Sequence, residues 1–175
     1  MSQILIPDSG PLFSLAAGDL LGLLLNFQFA ITDIVKEETI DRGTFSGASV
    51  EATRLHQFYL ANKKSIQIRP TQFGHAIQHL RKKSPNAPLP PNAGELSIQS
   101  LLIELGASNA KPIVLFEDGW FLRNAVSLHG SCILLSTEAF LVNAQNLGLI
   151  PSAEDARKAI SDLRPDAYRE VKMVK

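Results

Sequence analysis

Four carboxylates carry the clearest chemical pattern in the chain: Asp8, Glu38, Glu95 and Asp118. Asp8 follows the apolar run Ile4-Leu5-Ile6, and Glu117-Asp118 follows Ile113 to Phe116. Two short strands therefore deliver acids to one edge of a sheet. Taken singly, an acid at a strand end is well explained as a cap of a turn or helix. Taken together, like charges about 4 Å apart repel by roughly 4 kcal/mol at an effective dielectric near 20. A convergent cluster must be protonated or neutralised by a cation. Oxygen-only ligands favour hard Mg²⁺ or Mn²⁺. Such an ion activates water and stabilises in-line displacement at a phosphodiester.

The elements that must position these acids alternate between strand and helix. Ile4–Ile6 and Phe29–Ile31 are expected strands, with helices at Leu12–Ala17, at Asp19–Asn26 with Asp19 as N-cap, and from Ile34 to about Arg42 behind a Thr32 or Asp33 cap. Glu51–Ala61 and Phe73–Lys83 read as helices around a strand at Ile66–Ile68, and Ser84–Pro91 as a Pro-rich loop. A helix over Gly94–Leu105, a strand at Ile113–Phe116, a helix around Trp120–Leu128, a strand at Cys132–Leu135 and a helix at Glu138–Leu147 follow. Ser152 with Asp155 resembles a capping box opening one more helix, which stops at Pro165. This alternation implies an α/β fold with a central parallel sheet. Ligands then sit beyond the carboxyl ends of the strands, where strand order reverses.

Position on these elements separates the candidates. Glu38 leans toward the apolar side of its helix through Ile34 and Val35, whereas Glu37 has Asp33 and Asp41 as fourth neighbours. Glu38 is preferred, against the alternative of a surface pair with Arg42. Glu95 shares a face with Ile98 and Leu102, but Asn92 three residues earlier imitates a capping box and explains it equally well.

Composition sets the outer limits. The 175 residues suit one domain, 45% are hydrophobic and 19% charged, and the formal net charge is zero. No broad basic surface is available for nucleic acid, so any such contact is local. One cysteine, Cys132, excludes an internal disulfide framework and a cysteine zinc cluster. It reads as a small core residue, and a cytosolic setting fits. Leu12–Ile31 approaches the roughly 20 residues that span a bilayer. Asp19 inside it costs about 2.5–3.5 kcal/mol at a membrane centre, so buried helices and no membrane association are expected.

The order Asp8-Ser9-Gly10-Pro11-Leu12, Val35-Lys36-Glu37-Glu38, Gly94-Glu95, and Glu117-Asp118 with Arg123-Asn124-Ala125 resembles a PIN domain. It is most similar to the branch related to bacterial toxin ribonucleases of the VapC-like type. Leu135-Ser136-Thr137, Leu141 and Gly148-Leu149-Ile150 extend the likeness. The resemblance spans residues 4 to about 150, which gives a PIN-like domain over 1–150 and a helical tail over 151–175 packed on it. It implies a three-layer α/β/α sandwich and an endoribonuclease dependent on Mg²⁺ or Mn²⁺, leaving a 5′-phosphate and a 3′-hydroxyl. Asp8, Glu38, Glu95 and Asp118 match its four acids, and Ser9 its small hydroxyl. Asp118 is preferred to Glu117 by its spacing to Arg123, and Arg123 and Thr137 fall in substrate-side or supporting positions. Single-stranded RNA, an antitoxin protein and a second copy of the chain are the implied partners. The chain departs from the family where Asn92 replaces a frequent acid and where 43–92 is longer than usual. These departures motivate a second expectation: a weak or inactive PIN-like scaffold that binds RNA or a protein.

Other features carry less. His75 and His79 share a helical face, but no adjacent Glu completes a His-Glu-x-x-His zinc motif. Lys63-Lys64 and Arg81-Lys82-Lys83 are either phosphate contacts or solvated helix ends. Trp120 and Phe121 suit core packing better than base stacking. A phosphoacceptor switch needs a late-strand Lys, and the final core strand leads instead into Ser136-Thr137.

Overall fold

The computed structural model describes residues 3–106, 111–125, 128 and 132–167. Its centre is a parallel sheet of β1 (Gln3–Pro7), β4 (Lys111–Phe116) and β5 (Ile133–Ser136), with β4 in the middle. The other two strands, β2 (Ala30–Thr32) and β3 (Gln67–Arg69), pair in parallel with each other. A bridge between Leu5 and Phe29, with the Leu5 amide donating to the Gln28 carbonyl at 2.9 Å, joins β2 to the outer side of β1. The combined order is β3-β2-β1-β4-β5. The chain runs outward from β1 in one direction and resumes on its other side, so the order reverses between β1 and β4.

Apolar sequence explains the strands. Ile4, Leu5 and Ile6 are all buried, as are Val114, Leu115 and Phe116. Successive strand residues point to opposite faces, so both faces of these strands are covered. The register pairs Ile6 with Val114 and Pro7 with Leu115. The ladder continues one step further, where the Asp8 amide donates to the Leu115 carbonyl at 2.9 Å.

The helices are α1 (Ser9–Ala17), α2 (Asp33–Glu38), α3 (Val50–Asn62), α4 (Gln72–Lys83), α5 (Ala93–Leu105), α6 (Trp120–Arg123), α7 (Thr137–Asn146) and α8 (Ala153–Leu163), with short 3₁₀ turns at Leu21–Asn26 and Asp41–Thr44. Thr32, Ser49, Thr71, Ser136 and Ser152 each cap a helix by accepting a hydrogen bond from the amide three residues on. The capping expected of Thr32 and Ser152 is therefore present. Helix α8 packs against α1 and α7, where a Cβ at Gly18 would lie 2.8 Å from Ile160.

Several expectations are corrected. Residues 19–26 form no α-helix, and Asp19 takes a left-handed φ of 57° instead of capping. The helix expected to reach Arg42 ends at Glu38. There Thr39 leaves helical geometry and its hydroxyl bonds back to the Val35 carbonyl at 2.6 Å. α6 is one turn long, and part of the helix expected to Leu128 lies outside the described residues. The strands at 29–31, 66–68 and 132–135 each begin one residue later than expected. Cys132 is half-buried against the core, not fully enclosed. The apolar run from Leu12 to Ile31 is divided among α1, a 3₁₀ turn and β2, and no described helix is long and apolar enough to cross a membrane.

The long middle segment is held to the core from its first helix. Arg54 of α3 donates to the Ala16 and Ala17 carbonyls at 2.9 and 2.8 Å, satisfying the open C-terminal end of α1. Hydrogen bonds from a charged donor contribute about 1.5–3 kcal/mol. Arg54→Met should therefore lower Tm by roughly 3–12 °C, at about 2–4 °C per kcal/mol for a chain of this size. Thermal unfolding followed by circular dichroism would check it, and an unchanged Tm would remove Arg54 as an anchor.

Candidate metal centre

Asp8 and Asp118 reach the site from neighbouring strand ends at the point where strand order reverses. Asp8 is the N-cap residue of α1 by backbone geometry, yet its side chain makes no capping hydrogen bond. Helix capping therefore leaves this carboxylate uncommitted. Asp118 lies beyond β4, and its Oδ1 accepts from the Trp120 amide at 2.8 Å, which fixes the turn into α6. Immediately after it Phe121 is fully buried, with its ring 6.1 Å from Phe116 and 5.2 Å from Trp120. The two aromatic residues thus anchor this turn to the core.

Glu95 comes from the first turn of α5. The capping-box explanation of this residue does not hold, because Asn92 adopts φ 58°, ψ 32° and makes no side-chain cap bond. Left-handed geometry is tolerated by Asn better than by most residues. Next in the turn is Gly94, where a Cβ would stand 2.6 Å from Glu38 Oε2 and 3.2 Å from Asp8 Oδ1. The missing side chain lets both carboxylates lie against the N-terminal turn of α5, where the helix dipole favours negative charge. A buried hydroxyl chain sets the distance between α2 and α5. Ser97 Oγ donates to the Gly94 carbonyl at 2.6 Å, and Thr32 Oγ1 lies 2.7 Å from Ser97 Oγ. With the Ser97 proton committed, Thr32 donates to Ser97, and it accepts from the Val35 amide at 3.2 Å.

Of the two acids ending α2, Glu38 faces the site. Ser9 Oγ donates to Glu38 Oε2 at 2.6 Å. Glu37 turns away and is held by Arg81 in a bidentate pair at 2.9 and 2.8 Å. Arg81 Nε also donates to the Ala87 carbonyl at 3.3 Å, tying the Pro-rich loop to the same place.

Asp8, Glu95 and Asp118 each offer a carboxylate oxygen, and these three atoms lie within 4.8 Å of one another. Asp8 is buried; Glu95 and Asp118 are half-buried. Burial, then the Glu95 charge, raises the Asp8 pKa well above the usual carboxylate value, although the Ser9 amide opposes the shift. Glu95 is pushed up to about 7, first by desolvation and then by the hydrogen bond and charge of Asp118, against a lowering contact with its own amide. At these separations each pair of like charges repels by about 3–4 kcal/mol at an effective dielectric near 20. Oxygen donors converging under such repulsion suit a metal ion, and this trio could bind one. Among the described residues no His or Cys joins such a group; His75 and His79 are exposed on α4.

The acids line an open, polar cleft of about 380 Å³ together with Ser9, Gly10 and Asn92. Of the other sequence candidates, Thr137 is fully buried and sits behind the cleft near Glu117, and its Oγ1 has no hydrogen-bond partner. Arg123 is exposed, with Nη1 2.5 Å from where a Cβ on Gly119 would stand, and it does not line the cleft. Lys63, Lys64, Lys82 and Lys83 are exposed elsewhere, as solvated helix ends would be.

Glu117, ranked below Asp118 in the sequence, also lines the cleft, and three further lining residues escaped sequence reasoning: Arg164, Asp166 and Ala167. Glu117 is 8% exposed, and its Oε1 makes no hydrogen bond. Burial raises its pKa, opposed by the nearby Ser14 hydroxyl, by Arg164 and by Thr137. Arg164 follows α8 and arrives from the far end of the chain, donating to the Gly10 carbonyl at 2.8 Å and to Ser14 Oγ at 2.9 Å. No periodicity or spacing links it to the acids. The only local hint was Glu117 itself, adjacent to Asp118. Comparison with protein-family models and with curated proteins finds no match to this chain.

Gly94 provides a test of the geometry. A methyl group there would force Glu38 and Asp8 away from the turn while suiting the helix, since Ala is favoured over Gly by about 1 kcal/mol in helix interiors. Gly94→Ala should weaken Mn²⁺ binding at least about 10-fold by calorimetry while Tm in EDTA moves by less than about 4 °C. Unchanged Mn²⁺ affinity would mean that the carboxylates near Gly94 do not hold the ion.

Proposed function

We propose that the chain is a metal-dependent endoribonuclease of the PIN type, with Asp8, Glu95 and Asp118 holding Mg²⁺ or Mn²⁺ and Glu38 completing the acidic set. The observation that carries this reading is the convergence of three carboxylates from three separate elements within 4.8 Å. They meet at the carboxyl edge of a parallel sheet, where strand order reverses. A PIN-like three-layer α/β/α sandwich is part of the same proposal, supported by the all-parallel pairing and by burial on both strand faces.

A bound divalent ion supplies an activated water and charge stabilisation for in-line displacement at phosphorus. The protein's own groups do the positioning. Asp8 is fixed by its backbone bond to β4, Asp118 by the Trp120 amide, and Glu38 by the Ser9 hydroxyl. The cleft is open, so a phosphodiester in a single strand can approach without a deep base pocket. Pairing with an antitoxin protein and formation of a homodimer rest on the sequence resemblance alone.

One feature favours a second reading. The neutral amide of Asn92 lines the cleft where the resembled family often carries an acid. A scaffold of weakened metal affinity, binding RNA or a protein without cutting, fits that substitution.

Cleavage of labelled single-stranded RNA in Mn²⁺, Mg²⁺ or EDTA separates the two. The nuclease reading expects cutting only with metal, and a loss of at least about 100-fold in Asp8→Asn, equivalent to roughly 2.7 kcal/mol of transition-state stabilisation. Folded wild-type protein that stays silent across several RNAs in Mn²⁺ would give way to the scaffold. Equal cutting by both proteins would place the site elsewhere.

A further inference from the structure

Six acids line the cleft, namely Asp8, Glu38, Glu95, Glu117, Asp118 and Asp166, and Arg164 is the one basic side chain among its described lining residues. We propose that Arg164 is a substrate-positioning residue that receives a phosphate of single-stranded RNA, so that this position directly after α8 is part of the binding site. This rests on the nuclease reading given above and extends it to how the polyanion is received. A phosphate brought toward this wall meets repulsion from every other ionised side chain. A metal ion would relieve that repulsion only at the Asp8, Glu95 and Asp118 end.

The guanidinium is fixed through one nitrogen. Nη1 donates to the Gly10 carbonyl at 2.8 Å and to Ser14 Oγ at 2.9 Å, and it lies 3.7 Å from Glu117 Oε2. The centre of the group sits 5.8 Å from the Phe13 ring. Among the described residues, Nε and Nη2 make no hydrogen bond, and the side chain retains 26% exposure. A planar guanidinium anchored at one corner keeps a two-donor edge for bidentate contact with phosphate oxygens. The Glu117 pair does not cancel this capacity. It is long, at 3.7 Å, and engages only the nitrogen already anchored to Gly10 and Ser14. The anchors are also well placed for alignment, because Gly10 and Ser14 belong to α1, whose first residue, Ser9, directly follows Asp8.

The test uses the full chain and a single-stranded RNA oligonucleotide, with binding measured in Ca²⁺ and cleavage in Mn²⁺. Arg164→Gln should weaken RNA binding about 10-fold and raise KM with a smaller change in kcat. Its salt dependence should flatten by about 0.7 in log Kd against log salt, the value for one phosphate contact on a single strand. Mn²⁺ affinity by calorimetry should remain at the wild-type value, and Arg164→Lys should recover part of the loss. An unchanged Kd and salt slope, in a wild type that cuts RNA, would overturn this inference and leave the nuclease reading standing. Loss of Mn²⁺ binding or of folding in both variants would overturn it in favour of a structural anchor. A wild type that neither binds nor cuts RNA would overturn both.

Discussion

Mutual repulsion among Asp8, Glu95 and Asp118 is the constraint around which the rest of the structure is arranged. Three carboxylate oxygens within 4.8 Å cost several kcal/mol unless a proton or a cation joins them. Holding them together requires each to be positioned by a rigid element: β1 for Asp8, the turn after β4 for Asp118, and the first turn of α5 for Glu95. The apolar strands and the buried Phe121 provide that rigidity. Raised pKa values at Asp8 and Glu95 express the same cost in protons.

Smaller features serve the same arrangement. Gly94 removes the one Cβ that would separate Glu38 and Asp8 from α5. The Thr32-Ser97 pair links the start of α2 to the start of α5, and Arg81 draws Glu37 outward while Ser9 holds Glu38 inward. Each interaction has an ordinary structural value. Their common effect is that four acids from four parts of the chain meet in one cleft.

Much of this arrangement was legible in the sequence wherever local pattern carried it. The apolar runs ending in Asp8 and Asp118 announced strands and their ends, and the apolar side of α2 pointed to Glu38 over Glu37. Capping at Ser152 was readable because it depends only on the stretch from Ser152 to Asp155. Asn92 misled, since its backbone is left-handed and its side chain makes no cap bond, neither of which its spacing to Glu95 reveals. The α2 helix ended early because Thr39 bonds back to Val35, a competition that hydrophobic periodicity does not register. Arg164 was illegible for a different reason: its partners lie 150 and 154 residues away, and only the docking of α8 on α1 brings them together.

The central claim is that the carboxylates converge to hold a metal ion and not to share a proton. Anomalous diffraction from crystals grown or soaked in Mn²⁺ tests it most directly. A Mn²⁺ peak within coordination distance of Asp8, Glu95 and Asp118 is the expected result. Crystals in millimolar Mn²⁺ with these oxygens still close together and no anomalous peak between them would contradict it, and would identify the cluster as a proton-sharing one.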